Sequence, residues 1–394
     1  MNRNCIISEI KKFENEIVEW RRFLHENAEV RFDLDTTKKF VYNKLKELGY
    51  TPEYCGKAGV VATVGNGDKT FMIRADMDAL NLCEEASVEF AAKNGNMHAC
   101  GHDMHTAMLL GAAKYLKQNE DKLSGKVKLM FQAAEETLEG AADMISSGVL
   151  DSPVPDAALM IHVTTGTSLE TGFTIVCDSG VSSPAVNYFT INIQGKGCHG
   201  SMPHMGIDAI TVGANILTAL QEIKARELSI NDEAVMTVGT FNGGKSANVI
   251  ADTATLTGTM RAFDDSVMEQ LKKRTTEISE SIANAYRATA TVTFDSGCPT
   301  LYNNKEISDS AFKYCCELLG NERVLLSRER SGGSEDFSYI SHKIPSVMLA
   351  ISAGKTEDGY TYPLHNPKVT FDESVLCIGS AVYAWNAIRW LSEN

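Results

Sequence analysis

The chain has 394 residues, of which 43% are hydrophobic and 22% are charged. This is an ordinary globular composition in a chain longer than one hydrophobic core usually serves. The formal net charge of −14 disfavours nucleic acid as a partner, because an acidic surface repels phosphate backbones. No apolar run approaches the roughly 18 residues that a membrane span needs.

Residues 1–9 lack the sustained apolar core of a secretory signal. The ten cysteines are scattered and include no C-x-x-C pair. We therefore expect reduced thiols and a cytoplasmic location.

The first part of the chain predicts strands that alternate with helices. Helices are expected over 8–25, 35–49 and 139–147, and strands over 58–64, 70–75, 126–132 and 157–161. Carboxylates at Asp76 and Asp78 follow the strand over 70–75 directly. This alternation favours a mixed, mainly parallel sheet that is covered by helices on both faces.

From residue 185 the order of elements changes. The patterns predict strand 186–194, helix 207–226, strands 234–240 and 253–262, helix 264–287 and strand 290–295. This β-α-β-β-α-β order is typical of a ferredoxin-like α+β sandwich. The chain then returns to helix 305–319, strand 346–351 and helix 372–392. We predict an α/β domain formed by residues 1–184 and 298–394, interrupted by an inserted α+β domain over 185–297.

One stretch, MHACGHDMH over 97–105, concentrates a thiol, three imidazoles and a carboxylate at the start of an apolar helix. Cys100 and His102 could act as nucleophile and base. However, the two residues are only two positions apart. Their side chains would more naturally bind one common partner than align with each other for proton transfer. A thiolate and an imidazole are also a good ligand pair for a divalent metal. Metal binding is the preferred interpretation, and thiol catalysis and core packing are the alternatives.

Further polar side chains follow predicted strands. Glu135 and Glu136 come after 126–132, and they are either solvated surface charges or a pair in which one carboxylate binds metal and the other acts as a base. His162 follows the apolar run 157–161 and is either a buried core histidine or a ligand, because that strand would end at the same edge of the sheet. His365 lies on a loop stiffened by prolines, and in isolation it would be a surface residue.

Two glycine-rich segments have competing interpretations. Residues 195–204, with two histidines, form either a structural turn or a substrate-facing loop, because glycines let the backbone approach a ligand closely. Residues 239–246 match the P-loop pattern letter for letter. That pattern needs a following helix, since the phosphate sits on its N-terminus. The residues after 246 are strand-like, which disfavours nucleotide binding.

These motifs occur together and in one order: RADMDAL at 74–80, the stretch over 97–105, the Glu135–Glu136 pair, IH at 161–162, GCHG at 197–200, NVI at 248–250, GTMR at 258–261, EDF at 335–337 and HNP at 365–367. From about residue 16 to its end the chain resembles the N-acyl-amino-acid amidohydrolase branch of the dinuclear metallopeptidases. That branch includes hippurate hydrolases and indole-acetyl-amino-acid hydrolases. Aminoacylase, acetylornithine deacetylase and glutamate carboxypeptidase are more distant relatives.

The resemblance implies a metal-dependent enzyme that cleaves the amide bond of N-acyl-L-amino acids, such as acetyl or benzoyl derivatives, and releases a carboxylic acid and a free amino acid. It implies two divalent metal ions per subunit, either zinc or manganese, with nickel and cobalt as further options. The implied ligands are Cys100, His102, Glu136, His162 and His365. A catalytically silent protein that binds small molecules on the same fold is the alternative.

The resemblance also assigns roles to residues around the metals. Glu135 would be the general base and acid, and His199 of the inserted domain would help to polarise the scissile carbonyl. Asn248 and Arg261 would hold the carboxylate of the substrate. Three aspartates would orient the ligands, namely Asp76, Asp78 and Asp103. The inserted domain would serve as a lid and as the interface of a homodimer.

Overall fold

The computed structural model describes residues 3–394; Met1 and Asn2, at the start of the segment predicted to lack a secretory signal, lie outside the described residues. The α-helices are α1 (Arg3–Ile10), α2 (Glu14–Glu26), α3 (Asp35–Glu47), α4 (His102–Gln118), α5 (Gly140–Ser146), α6 (Ala209–Glu222), α7 (Asp265–Ala285), α8 (Lys305–Leu319), α9 (Ser338–Ser341) and α10 (Val375–Glu393). Short 3-10 helices lie at Lys11–Phe13, Glu120–Lys122, Pro203–Met205, Asn321–Arg323 and Thr356–Asp358, and a π-helix lies at Ile223–Glu227.

The strands are β1 (Glu53–Cys55), β2 (Gly59–Gly65), β3 (Thr70–Asp76), β4 (Lys126–Gln132), β5 (Ala157–Thr164), β6 (Thr174–Cys177), β7 (Gly180–Ser183), β8 (Ala185–Gln194), β9 (Cys198–His199), β10 (Ala234–Gly243), β11 (Val249–Ile250), β12 (Thr253–Ala262), β13 (Thr289–Cys298), β14 (Leu301–Asn303), β15 (Val324–Ser327) and β16 (Ser346–Ser352). Within residues 3–394, no helix has both the length and the apolar character needed to cross a membrane.

The chain divides into two compact units, and the first consists of Met1–Ser182, Tyr302–Arg330 and Asp336–Asn394. The main sheet of its described residues has the strand order β1-β2-β4-β3-β5-β16-β6-β15. Strands β4, β3, β5 and β16 are parallel neighbours, and β15 runs parallel to β6. The remaining pairings are antiparallel. The predicted mixed, mainly parallel sheet is confirmed.

Helices α4 and α10 form the centre of the core of this unit. Both are apolar around most of their circumference and are buried along most of their length, as expected for helices enclosed by other elements. They pack closely at Gly379, where an added Cβ would lie 1.9 Å from Met108 Sδ. Because α4 is fixed in this way, the residues at its first turn are held against the sheet.

The second unit consists of Ser183–Leu301 and Ser331–Glu335. Its antiparallel sheet has the strand order β10-β12-β8-β13. Helices α6 and α7 pack against this sheet and against each other around Phe189, Ile191 and Leu256. The predicted β-α-β-β-α-β order is present. The α/β fold class, with an additional smaller sheet, is confirmed.

Some predicted elements differ in detail. The helix expected over 8–25 begins earlier, as α1, and is interrupted by the 3-10 helix Lys11–Phe13 before α2. The short strands were not predicted, because two to four residues are too few to show a period; these are β1, β6, β7, β9, β11, β14 and β15. The P-loop-like segment includes the end of β10 and is followed by β11 and β12, so no helix follows it to bind a phosphate.

Candidate metal centre and active site

The candidate site lies at the edge of the main sheet where three parallel strands end. Strand β3 ends at Asp76 and its neighbour β4 ends at Gln132, and these two residues are paired. Strand β5, on the other side of β3, carries His162. Because parallel strands present their carboxyl ends at one edge, polar residues that are distant in sequence meet there. Helix α4 begins at the same edge with His102.

The structure brings the five predicted ligands together. Their donor atoms form two overlapping groups, Cys100 with His102 and His162, and Cys100 with Glu136 and His365, and the donor atoms within each group lie within 4.8 Å of one another. Cys100 Sγ is 3.5 Å from His162 Nε2 and 3.2 Å from His365 Nε2. The thiol therefore belongs to both groups. We call these five residues the ligand cluster.

The imidazole tautomers leave lone pairs directed into the ligand cluster. His102 Nδ1 donates to the carbonyl oxygen of Asp78 at 2.9 Å, and His162 Nδ1 donates to the carbonyl oxygen of Val163 at 2.7 Å. Since a carbonyl oxygen can only accept, the Nε2 atom of each neutral ring carries the lone pair. His102 Nε2 and Glu136 Oε1 are buried and have no hydrogen-bond partner among the described residues.

Such atoms are costly unless something binds them, because a buried polar atom without a partner loses its hydration. The donor set combines one sulfur, imidazole nitrogens and a carboxylate oxygen, which suits a divalent transition metal such as zinc. The residues present therefore fit a metal centre.

Burial changes the protonation of this site. It raises the pKa of the Cys100 thiol well above its usual range, although the nearby His102 acts to lower that pKa. It also raises the pKa of Glu136 to about 7, and the Asp78 and Asp76 carboxylates add to this rise. A thiol nucleophile needs a lowered pKa, so the thiol-hydrolase alternative is disfavoured. A bound cation would instead favour the thiolate form of Cys100, because a thiol that coordinates a metal is deprotonated.

Two backbone features direct the ligands. Gly101, between Cys100 and His102, has φ 86°, and an added Cβ would lie 2.4 Å from Val163 Cγ2. Ala134 also has positive φ, at 56°, a conformation that costs of order 1–2 kcal/mol for a residue with a side chain. It immediately precedes Glu135, so the unusual turn sets the direction of the two acids that follow.

Asp78 connects the acids to the first turn of α4. Its Oδ1 accepts from the backbone N–H of Glu135 at 3.0 Å, and its Oδ2 accepts from that of Glu136 at 3.1 Å. Its carbonyl oxygen holds His102, as described above. One buried aspartate therefore fixes the proposed base and two candidate ligands.

Sequence reasoning missed the buried network behind Asp76. Arg74 donates to Asp76 Oδ2 at 2.7 Å, to Gln132 Oε1 at 2.9 Å and to Asp336 Oδ1 at 2.9 Å. Asp336 also accepts from Gln132 Nε2 and from the backbone N–H of Ala141. An arginine within an apolar strand is a signal of a buried ion pair. Nothing local identifies Asp336 as its partner.

His105 lies in the 97–105 stretch but was given no role by the sequence analysis. Its Nδ1 donates to Asp76 Oδ1 at 2.5 Å, and its Nε2 accepts from the backbone N–H of Val163 at 2.8 Å. Both ring nitrogens are therefore engaged, and His105 supports Asp76 rather than offering a lone pair to a metal.

Asp103 does not orient a ligand as predicted. Its Oδ2 accepts from Arg21 Nε at 2.7 Å and from His25 Nδ1 at 2.8 Å. Successive residues of a helix point about 100° apart, so Asp103 faces α2 while its neighbour His102 faces the ligand cluster.

The other predicted site residues lie in the second unit. His199 on β9 pairs with Val249 of β11, and the backbone N–H of Gly200 donates to the Asn248 carbonyl oxygen at 2.8 Å, so His199 and Asn248 lie on adjacent backbone segments. Arg261 on β12 donates to Gly332 O at 3.2 Å and to Ser334 Oγ at 2.9 Å. The roles of these three side chains toward a substrate remain predictions.

Comparison with known proteins agrees with the family that the sequence motifs predict. Residues 72–386 match the family model described as "Peptidase family M20/M25/M40". Thermostable carboxypeptidase 2 of Saccharolobus solfataricus is 36% identical, with 97% of each chain covered. N-acetyl-L-cysteine deacetylase of Bacillus subtilis is 35% identical, with 98% of this chain and 90% of the relative covered.

Two solved structures are similar over nearly the whole chain. A putative aminohydrolase from methicillin-resistant Staphylococcus aureus has a TM-score of 0.90 and 34% identity, covering 99% of this chain and 100% of the other. The Bacillus subtilis YXEP protein, described as a dinuclear metal binding peptidase from the M20 family, has a TM-score of 0.78 and 29% identity, covering 97% and 99%.

Proposed function

The chain belongs to peptidase family M20/M25/M40 and is a metal-dependent amidohydrolase, and we propose that its substrates are N-acyl-L-amino acids. The observation that carries this proposal is the ligand cluster beside Glu135: two overlapping groups of donor atoms share Cys100. N-acetyl-L-cysteine deacetylase, 35% identical over nearly the full chain, supports this substrate class. The expected products are a carboxylic acid and a free amino acid.

The ligand cluster would hold two divalent cations. Cys100, His102 and His162 provide one set of donors, and Cys100, Glu136 and His365 provide the other. When bound, such cations supply Lewis acidity and lower the pKa of water toward neutrality. The sulfur and imidazole donors favour zinc, and the carboxylate also suits manganese.

Glu135 would move the proton. Its backbone is fixed by Asp78, and its carboxylate Oε2 is 4.0 Å from His102 Nε2, at the border of the ligand cluster. As general base it would accept a proton from the attacking water, and as general acid it would deliver that proton to the amide nitrogen. Transfers of this kind contribute about 10²–10⁴-fold in rate.

The second unit would recognise the substrate. An arginine fork matches the two oxygens of a carboxylate, which suits Arg261 for the free carboxylate of an N-acyl amino acid. Asn248 would add an amide donor, and His199 would donate to the oxygen of the scissile carbonyl. These assignments come from the family resemblance, and the backbone contact between Gly200 and Asn248 supports them.

The second unit would also form a homodimer. Among the described residues, β10 is an edge strand of the sheet, and it exposes Val235 and Phe241. The exposed side of α6 presents Ile210, Thr211, Ala214, Asn215 and Thr218, which carry no charge. Free strand edges and uncharged faces favour pairing with another chain. We also propose a cytoplasmic location, which the scattered spacing of the ten cysteines supports.

Two measurements test the reaction and the metal dependence. A panel of N-acetyl, N-benzoyl and longer N-acyl amino acids is assayed after removal of metal and reloading with zinc, manganese, cobalt or nickel. We expect activity to vanish with the metal and to return on reloading. Activity that survives complete metal removal would contradict the proposal.

The Cys100→Ala variant separates metal binding from thiol catalysis. We expect it to lose metal as well as activity, because the sulfur belongs to both donor groups. Full metal content with no activity would instead support a thiol nucleophile. Cys316→Ala, which removes a thiol on α8 outside the ligand cluster, serves as the control and should retain metal and turnover.

A further inference from the structure

The turn that follows β9 controls the ring of His199. The backbone N–H of Met202 donates to the His199 carbonyl oxygen at 2.8 Å and closes a four-residue turn. Inside this turn the backbone nitrogen of Ser201 lies 3.1 Å from His199 Nδ1, and Ser201 Oγ lies 2.7 Å from the same atom. Ser201 therefore offers two donors to one nitrogen of the ring.

The two donors of Ser201 together favour one tautomer. An amide N–H can only donate, so Nδ1 accepts and carries no proton while the backbone contact is made. In a neutral imidazole the remaining proton is then on Nε2. The Ser201 hydroxyl, whose hydrogen can rotate toward Nδ1, strengthens the same assignment.

Neighbouring residues hold the turn in place. His199 pairs with Val249 across β9 and β11. An added Cβ on Gly200 would lie 2.9 Å from the Asn248 carbonyl oxygen, so the turn lies directly against the segment before β11. Cys198 Sγ contacts the carbonyl oxygen of Met202 at 3.3 Å. These contacts fix Ser201 relative to the ring, although the turn is exposed.

We propose that Ser201 is a positioning residue that holds His199 in the Nε2–H tautomer, so that the ring presents a hydrogen-bond donor to the carbonyl oxygen of the substrate. This inference rests on the proposed function, in which His199 polarises that carbonyl. The other tautomer would present a lone pair on Nε2, which would repel the negative charge that develops on the oxygen during hydrolysis.

The test combines a spectroscopic and a kinetic measurement on the metal-loaded full chain. Ring nitrogens of ¹⁵N-histidine-labelled protein report the tautomer of each neutral imidazole, and comparison with His199→Asn assigns the His199 signals. We expect His199 of the wild type to be mainly Nε2–H. Ser201→Ala should increase the fraction of the Nδ1–H form and lower kcat by about two- to tenfold, the range of a single neutral hydrogen bond, with a smaller change in KM.

Two further variants complete the test. Ser201→Thr keeps the hydroxyl and should restore both the tautomer and kcat. Ser229→Ala removes an exposed serine of the same unit that contacts no histidine, and it should change neither. A wild-type ring that is mainly Nδ1–H would overturn the proposal, as would a Ser201→Ala variant with unaltered tautomer or unaltered kcat.

The result separates this inference from the proposed function. If His199→Asn retains full kcat, His199 has no role in the reaction. Ser201 then has no catalytic effect through His199 either. If His199→Asn is impaired while Ser201→Ala is not, only the inference about Ser201 is lost.

Discussion

Two buried polar clusters flank the first turn of α4, and they differ in how their charges are balanced. The ligand cluster lies beside the carboxylates of Asp76, Asp78 and Glu135, and the permanent positive charge of Arg74 pairs with Asp76 rather than with a member of the cluster. On the other side, Arg21 and His25 bind Asp103, while His25 also reaches Glu84 at 3.0 Å. We call this second group the Arg21 cluster.

The comparison shows that a high density of ligand-type residues does not by itself identify a metal site. The Arg21 cluster has a histidine and two carboxylates, but it contains its own cations. The ligand cluster has two buried acceptor atoms, His102 Nε2 and Glu136 Oε1, that no described side chain satisfies. Asp103 Oδ1 of the Arg21 cluster also has no hydrogen-bond partner among the described residues, but Arg21 already balances the charge of that carboxylate. A cation supplied from solution would balance the ligand cluster and would be redundant in the Arg21 cluster.

The largest expected effect is on turnover. Glu135→Gln keeps the shape of the side chain but removes its ability to take a proton, so kcat should fall by about 10²–10⁴-fold. Metal content, measured by elemental analysis, should stay at the wild-type value because Glu135 is not one of the five ligands. A variant with wild-type turnover would remove Glu135 from the mechanism.

The two imidazoles of α4 separate metal binding from structural support. His102→Ala removes a lone pair from the ligand cluster, so metal content should fall and activity should disappear. His105→Ala breaks hydrogen bonds to Asp76 and Val163, which should lower the free energy of unfolding by about 1–3 kcal/mol while the protein still binds metal. Equal metal loss in the two variants would contradict the assignment of His102 as a ligand and His105 as a structural residue.

Removing the cation behind Asp76 should affect folding more than binding. Arg74→Met leaves Asp76 and Asp336 buried without their partner, and breaking a buried pair in this way costs about 3–5 kcal/mol. Urea unfolding of the metal-free protein measures this loss. Arg328→Met, which removes an exposed arginine, is the control. Equal stability of the two variants would mean that the network is dispensable.

The smallest effect concerns the pH dependence of the Arg21 cluster. Although burial lowers the pKa of His25, the Asp103 carboxylate, with Glu84, raises it above its ordinary 6.5 overall. A raised folded-state pKa contributes stability that is full below pH 6.5 and is lost as the pH rises through the folded value. His25→Gln should therefore be more destabilising at pH 6 than at pH 9.

Urea unfolding at the two pH values measures this difference. The His204→Gln variant, which removes an exposed histidine of the second unit, is measured in parallel as the baseline. A destabilisation by His25→Gln that is the same at both pH values would show that His25 is not protonated in the folded protein.

The sequence by itself determined the family, the α/β fold class and the strand ends where the acids lie. These follow from local patterns: hydrophobic periods locate strands and helices, and short motifs carry ligand types at fixed spacings. The β-α-β-β-α-β order of elements in the second unit also followed from these local patterns, whereas the order of its strands in the sheet is known from the structure.

The five ligands were predicted from the resemblance, but only the tertiary structure decided which other polar residues contact them. His102 and Asp103 are adjacent in sequence, yet the helical rotation between them sends one to the ligands and the other to Arg21. Arg74 meets Asp336 across 262 residues of sequence, a contact that no local pattern encodes. Hydrogen bonds and burial depend on what packs around a side chain, and that is set by the assembled fold.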